Sequence, residues 1–508
     1  MTFGQSSSEH PETHDAQSKA QRWASSGGMW LTGRCDGPAI GCLSGVVEVL
    51  ELVAKQLAEG SRRVGSEVRV DGLALLGERA ALAGLSRRGS TSCGGATRLL
   101  QTADGYLALS LARPDDVALL PALFGDAFTP NPLILDSFFV DSLVVDSSTD
   151  ALLNGAAAIE SLSSSVESSS SANNKIWSSI ETIVRGVRAQ DLVDRGTELG
   201  LALAALPQTA KPLGWVKSDD SVSTTDPNLL ARTHDGHGLH RYSGAVSFRL
   251  TGAVLRTKLL LPNASHGIPA TRPIRVVDLS SLWAGPLCAQ LLETAGCEVI
   301  KVESTSRPDG ARLGSREFFD LLNGRKRSVV LDFADREDLR ALIDLLASAD
   351  VVIEASRPRA LEQLGIDRQT LLATTGISVW LQITGHGATG ADENRIGFGD
   401  DAAVAGGLVS WDDDQPVFCA DAIADPATGL IAASAALEAL DAGGKWVLDA
   451  SLRRTAEAMA YGSMLNWKGE VAAPRARGII QTAPVKGADT ESIISALTSR
   501  PADGFRPC

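Results

Sequence analysis

The stretch Ile274-Arg-Val-Val-Asp-Leu-Ser-Ser-Leu-Trp-Ala-Gly-Pro-Leu-Cys-Ala-Gln-Leu-Leu-Glu-Thr-Ala-Gly-Cys-Glu-Val-Ile-Lys-Val302 decides how the chain folds. Ile274–Leu279 is a short apolar run with β-branched residues, Leu287–Ala295 has helical spacing, and Glu298–Val302 is strand-like again. The alternation continues through strand-like Ser328–Leu331, helix-like Glu337–Ala347, strand-like Val351–Glu354, helical Ala360–Leu364 and strand-like Ile377–Ile383. Strands that are apolar on consecutive positions must be buried on both faces. The expected fold class is therefore α/β, an open parallel sheet with helices on both faces, together with a smaller α+β domain.

Downstream, Phe418-Cys-Ala-Asp-Ala-Ile-Ala-Asp-Pro-Ala-Thr-Gly-Leu430 places Asp425 directly before Pro426 and a long apolar run of helical spacing. Aspartate at the N-cap and proline at N1 form a common helix start, because the carboxylate accepts an orphan N–H and proline has none to lose. On local grounds Asp425 reads as a cap.

Upstream lies a weaker copy of this region. Ser44-Gly-Val-Val matches Thr428-Gly-Leu-Ile and Val68-Arg-Val-Asp71 matches Trp446-Val-Leu-Asp449, which sets Gly41 where Asp425 stands. The expected organisation is a disordered polar tail 1–19 and an N-terminal half 20–270. That half comprises the degenerate repeat 23–84 with a helix at Val46–Leu57 and a short strand at Glu67–Asp71. A glycine loop 89–95, a small domain 98–150, a serine-rich insertion at about 159–174 and a helical segment 176–206 follow. A second half, 271–465, and a C-terminal tail, 466–508, complete the chain, with the main boundary near Pro269–Pro273. Leu99–Leu109 reads as two short strands about an Asp-Gly turn, and Pro114–Gly125 as helix.

Composition narrows the function. With 508 residues, 44% of them hydrophobic, the chain can bury large cores, and a formal net charge of −14 disfavours non-specific attraction to nucleic acid or to an anionic membrane. No apolar run reaches the ~18 residues that span a bilayer, and the polar start lacks a signal-peptide core, so a cytoplasmic protein is expected. The seven cysteines are scattered without a CxxC pair, which points to free thiols and to no metal. His234, His237 and His240 lie close together but lack the accompanying cysteines or carboxylates of a metal site.

Two motifs suggest phosphate chemistry. Gly385-His-Gly-Ala-Thr-Gly390 spells a dinucleotide fingerprint, but the Gly-rich sequence after it cannot open the helix that such a site requires. Lys301, Arg307, Arg312 and Arg325-Lys-Arg327 lie in or beside loops of the parallel sheet, where they form either an anion site or a solvated basic surface. Likewise the loop Arg87–Gly95 either brings backbone N–H groups to a ligand or turns a corner.

Five ordered blocks resemble the class III CoA-transferases, the superfamily of formyl-CoA transferase, carnitine CoA-transferase and α-methylacyl-CoA racemase. They are Val277–Leu292, Gly296–Glu303, Asn323–Asp332, Ala349–Pro358 and Ala424–Gly429, covering about 274–465. The first half resembles the later part of such proteins, so the usual order of halves is changed. The resemblance implies a Rossmann-like fold and a transferase, acting in lipid or organic acid metabolism, that moves CoA from an acyl-CoA to a carboxylic acid. Asp425 would be the nucleophile, held ionised by its helix terminus, passing through a mixed anhydride and an aspartyl-CoA thioester. It further implies that Arg312, Lys301 and Arg325, with Ala284 and Gly285, bind CoA, that Gly94 and Gly95 cover the site, and that the protein is a homodimer. CoA and acyl-CoA are substrates; no tightly bound cofactor, metal, nucleic acid or membrane is implied. A racemase would need the family's histidine near Gly399–Asp401, where this sequence has Gly-Asp-Asp. The remaining alternative is a non-catalytic CoA-binding or scaffold subunit.

Overall fold

The computed structural model describes residues 11–128, 173–210, 253–259, 272–357 and 359–498. Its centre is a seven-stranded sheet of β4 (Val254–Leu259), β5 (Arg275–Asp278), β6 (Glu298–Ser304), β7 (Arg327–Leu331), β8 (Val351–Glu354), β9 (Val379–Thr384) and β12 (Lys445–Ser451), in the order β4-β12-β9-β8-β5-β6-β7. All neighbours run parallel except β4, which closes the β12 edge in the antiparallel sense. Counted along the parallel strands from β5, this is the doubly wound order 3-2-1-4-5-6, whose crevice opens between β5 and β8.

Alternate side chains of each strand enter different cores, which is why the strand sequences are continuously apolar. Val276, Val351, Ile353, Val379 and Leu381 join one core; Val277, Ile300, Val352 and Trp380 join the other. The first core is covered by the helices Ala284–Thr294, Ser44–Ser61 and Ala424–Ala442. The second lies under Arg336–Ala347, Arg368–Thr374 and Thr490–Thr498. Each large apolar side chain moved fully from water into these layers contributes about 1.5–3 kcal/mol.

The smaller unit is an antiparallel sheet of β1 (Thr97–Gln101), β2 (Tyr106–Ser110) and β3 (Ala202–Ala205), with Thr97 opposite Ser110 and Leu107 opposite Ala205. Leu107 and Leu109 face its own helices, where Val117, Trp177 and Ile180 complete a core. Ala108 points the other way, toward Val404, Val409, Trp411 and Phe418. The small sheet is thereby pressed onto the segment 398–420, with β10 (Ser410–Asp412) and β11 (Gln415–Val417) forming a two-stranded ribbon there.

Several expectations are corrected. The polar tail is helical from Pro11 to Ser25, tied down by Lys19 Nζ to Glu48 Oε1 at 2.8 Å. Residues 20–76 share one core with the second half, so the repeat is not a separate body. Glu67–Asp71 is not a strand. Asp71 instead accepts N–H bonds from Leu73 and Ala74. The segment 176–206 ends in β3 after two helices, 173–184 and Ala189–Leu199. The C-terminal segment packs on the sheet, where Ile493 is buried and Asp489 accepts the Ser328 N–H. The serine-rich insertion and His234, His237 and His240 lie outside the described residues, apart from 173–174 at the end of that insertion.

Candidate active site

The helix Ala424–Ala442 is alanine-rich and buried along most of its length, so it approaches its neighbours closely. A Cβ on Gly429 would lie 2.7 Å from the Ala284 carbonyl oxygen and 3.1 Å from Leu287 Cβ, so only glycine permits this crossing. The contact holds the first turn of the helix beside the loop that leaves β5, at the crevice of the sheet. Asp425 lies in that turn, but not as its cap. Ile423 occupies the N-cap position, and the Asp425 N–H already donates to the Ala422 carbonyl. The helix starts early because Ala420 and Ala422 take left-handed backbone conformations, φ 56° and 44°, which winds the chain into a tight turn before Asp425. Left-handed backbone at two alanines is strained, a feature that accumulates at functional sites.

Four carboxylates meet here. Asp421 is buried and takes Arg79 in a two-point ion pair, Nε to Oδ2 at 2.9 Å and Nη2 to Oδ1. Asp400 accepts the Ala422 N–H at 3.1 Å, and Asp401 accepts the Ser110 hydroxyl at 2.7 Å and the Phe398 N–H at 3.0 Å. Asp425 is partly accessible, and its Oδ2 packs against Gly399, where a Cβ would stand only 2.5 Å away.

Burial lifts Asp425, Asp400 and Asp401, with repulsion from neighbouring carboxylates adding to the first two. Burial pushes the Asp425 carboxyl up to about 7, opposed by Arg79 and a Gly399 backbone hydrogen bond and reinforced by Asp401 and Asp421. Burial and the Asp421 charge hold Asp400 at about 7 as well. Asp401 is raised to about 6, chiefly by burial, with the Ser110 hydrogen bond pulling against it. The helix start therefore does not keep Asp425 an ordinary ionised carboxylate. It produces a carboxyl poised at neutral pH.

The glycine loop closes on this cluster. Cys93 Sγ lies 3.5 Å from the Ala420 carbonyl oxygen, and a Cβ on Gly94 would stand 3.3 Å from Arg79 Nη2. Gly95 has φ 82° and turns the loop back toward β1. Beneath Arg79 lies the Trp283 ring, 5.4 Å from guanidinium carbon to centroid, and Phe318 meets Trp283 edge-on at 5.1 Å.

Residues 272–491 match the model of CoA-transferase family III. This segment belongs to CoA-transferase family III. An acyl-CoA transferase from Fusarium pseudograminearum is 31% identical over 41% of this chain and 50% of that protein. The succinyl-CoA–D-citramalate CoA-transferase of Chloroflexus aurantiacus is 31% identical over 33% of this chain and 44% of its own length. A crystal structure of a CAIB/BAIF family protein from Brucella suis aligns at 31% identity over 36% of this chain and 53% of that chain, with a TM-score of 0.35. The chain spans about half the length of the curated relatives it matches.

Within the family III segment, the cations expected at CoA separate by environment. Lys301 is buried and spent internally, on Asp309 Oδ2 at 2.8 Å and the Ser280 carbonyl at 2.9 Å, so it shapes the loop after β5 and cannot reach a phosphate. Arg312 is mostly buried, paired with Glu303 at 2.6 Å and lying 4.3 Å from the Phe319 ring centroid. Arg325 is half-exposed and pairs with Glu293 at 2.9 Å. Arg307 is exposed in the loop after β6. Ala284 and Gly285 open the helix that follows β5; a Cβ on Gly285 would collide with Ser280 Cβ at 2.2 Å. In the Gly385–Gly390 loop no helix opens at Gly390, and Gly385 packs backbone to backbone on Gly397.

Asp425, Gly94 and Gly95 are thus brought to one place, while Lys301 and Arg312 serve the β5–β6 scaffold. Arg79, Asp421 and Ser110 were not singled out from the sequence. Arg79 and Ser110 come from the first half and carry no local signal, whereas Asp400 and Asp401 were visible as the Gly-Asp-Asp at the histidine position.

Proposed function

We propose that the chain is a CoA-transferase in which Asp425 carries the acyl group. The observation that supports this most is a partly accessible carboxyl near 7, in the crevice of a doubly wound sheet, beside a guanidinium and under a glycine loop. At neutral pH about half of such a group is ionised, and a carboxylate with a raised pKa is a better nucleophile than an ordinary one.

One Asp425 oxygen attacks the thioester carbonyl, the C–S bond breaks, and CoA leaves as thiolate, forming a mixed anhydride. The thiolate then attacks the aspartyl carbonyl and releases the donor acid, leaving an aspartyl-CoA thioester. The acceptor carboxylate attacks that thioester, expelling the thiolate and forming a second mixed anhydride; the thiolate then attacks the acceptor's carbonyl carbon, giving the new acyl-CoA and releasing the Asp425 carboxylate. The glycine loop keeps water from an anhydride that would otherwise hydrolyse. The Chloroflexus relative named for succinyl-CoA and D-citramalate supports a thioester and a carboxylic acid as the substrate pair. Phosphates of CoA would meet the more exposed cations, Arg307 and Arg325, rather than Lys301, and the homodimer is carried forward on the resemblance alone.

The test is to incubate the protein with acyl-CoA, quench with hydroxylamine and map the product by mass spectrometry. A hydroxamate on Asp425 is expected; labelling confined to another peptide overturns the assignment. A second reading, proton exchange at Cα of an acyl-CoA, rests on Asp400, a second carboxyl near 7 in the same cluster. Deuterium uptake into acyl-CoA in D₂O without an acceptor acid would select it.

A further inference from the structure

We propose that Arg79, from the first half of the chain, is the positioning residue that tunes and aims Asp425 of the same chain. This rests on the reading of Asp425 as the nucleophile. Arg79 is fixed from three sides: by the two-point ion pair with Asp421, by the Trp283 ring at 5.4 Å, and by Gly94, where a Cβ would stand 3.3 Å from Nη2. Asp421 lies between the two left-handed alanines, four residues before Asp425, so the ion pair clamps the strained turn that starts the catalytic helix. The Asp400 and Asp425 charges also act on this guanidinium.

The charged groups around Asp425 are Asp401 and Asp421, which raise it, and Arg79, which lowers it, and the Asp425 charge in turn bears on Asp400. Arg395 bears on Asp401, and Arg88 bears on Cys93. Among these, Arg79 is the group that joins the ion pair, the glycine loop and the nucleophile. Its place in the first half explains how a chain with its halves reordered assembles a site: the half without the aspartate supplies the cation.

The test compares Arg79→Gln with Arg79→Lys by the pH profile of acyl-Asp425 formation. With the charge removed, Arg79→Gln moves the midpoint up by about one unit or more. Arg79→Lys keeps the midpoint within about 0.3 unit but lowers the plateau rate, since an ammonium cannot make the two-point pair. Added guanidinium restores rate to Arg79→Ala. An unchanged midpoint in Arg79→Gln overturns the proposal; if that variant does not fold, a shifted midpoint in Arg79→Lys does so instead. Absence of any Asp425 adduct in the unaltered protein defeats the nucleophile reading itself and is a separate result. Finally, Arg79→Gln and Asp425→Asn chains are co-expressed with two tags and the mixed species is isolated. It should lack the unaltered pH profile, and recovery of that profile would show Arg79 acting between chains.

Discussion

The two copies of the repeat take opposite solutions at one position. At Gly41 the backbone is pressed onto Leu465, whose carbonyl oxygen would lie 1.5 Å from a Cβ, and the Leu465 N–H donates to the Cys42 carbonyl. The following helix starts only at Ser44. At Asp425 the helix starts with Ala424, while the residue matching Ser44 is Thr428, so the second copy gains one turn and presents a carboxylate from it. Both copies keep the glycine that follows, Gly45 against the Met459 carbonyl and Gly429 against the Ala284 carbonyl, because both helices pack at close range. The comparison teaches that close helix packing was kept in both copies and the carboxylate in one.

The sharpest way to break the contrast is Asp425→Asn, which removes the carboxylate that the first copy also lacks. Acyl transfer should fall roughly 10³-fold or more, since an amide cannot form the anhydride, while the melting temperature changes little. Retained transfer, measured by acyl-CoA turnover, would return Asp425 to a structural role.

The converse change, Gly41→Asp, should not create a second site. It forces a side chain and a charge into the Leu465 backbone and should cost about 3 kcal/mol or more in a urea titration. In the Asp425→Asn background it should restore no activity.

The pH dependence sharpens the chemistry. A nucleophilic Asp425 would react as the carboxylate, so adduct formation should rise about tenfold per unit and level off above about 7, following its raised carboxyl. Stability runs the other way. Asp425 and Asp400 hold protons that the unfolded chain has already lost, so their contribution is present below about pH 4 and is lost as pH rises to about 7. Asp400→Asn should accordingly raise the melting temperature at pH 8 and not at pH 4. A profile flat from pH 5 to 8 would remove both statements.

The smallest effect is expected at Ser110→Ala. It deletes the hydroxyl that the small sheet gives to Asp401, at a cost of about 1–3 kcal/mol, and moves the Asp401 carboxyl further up. Denaturation and carboxyl titration by NMR measure the two parts.

Periodicity along the chain was enough for the central sheet, because strands buried on both faces must be apolar at every position. Val351–Glu354 has the bounds expected, and the helices Ala284–Thr294 and Arg336–Ala347 were legible from spacing, with ends shifted by at most three residues. Asp425 was legible as a functional candidate from its ordered blocks. Its true position, one step inside the helix, was not, because the early start depends on two alanines in left-handed backbone that no local rule favours. Lys301 and Arg312 show the limit for charges. Sequence places a cation at a strand end, but only the surrounding fold decides whether Asp309 or Glu303 has already consumed it. Arg79 marks the same limit for the site, since a guanidinium separated by 342 positions from its carboxylate meets it only once the first half has packed on the helix Ala424–Ala442.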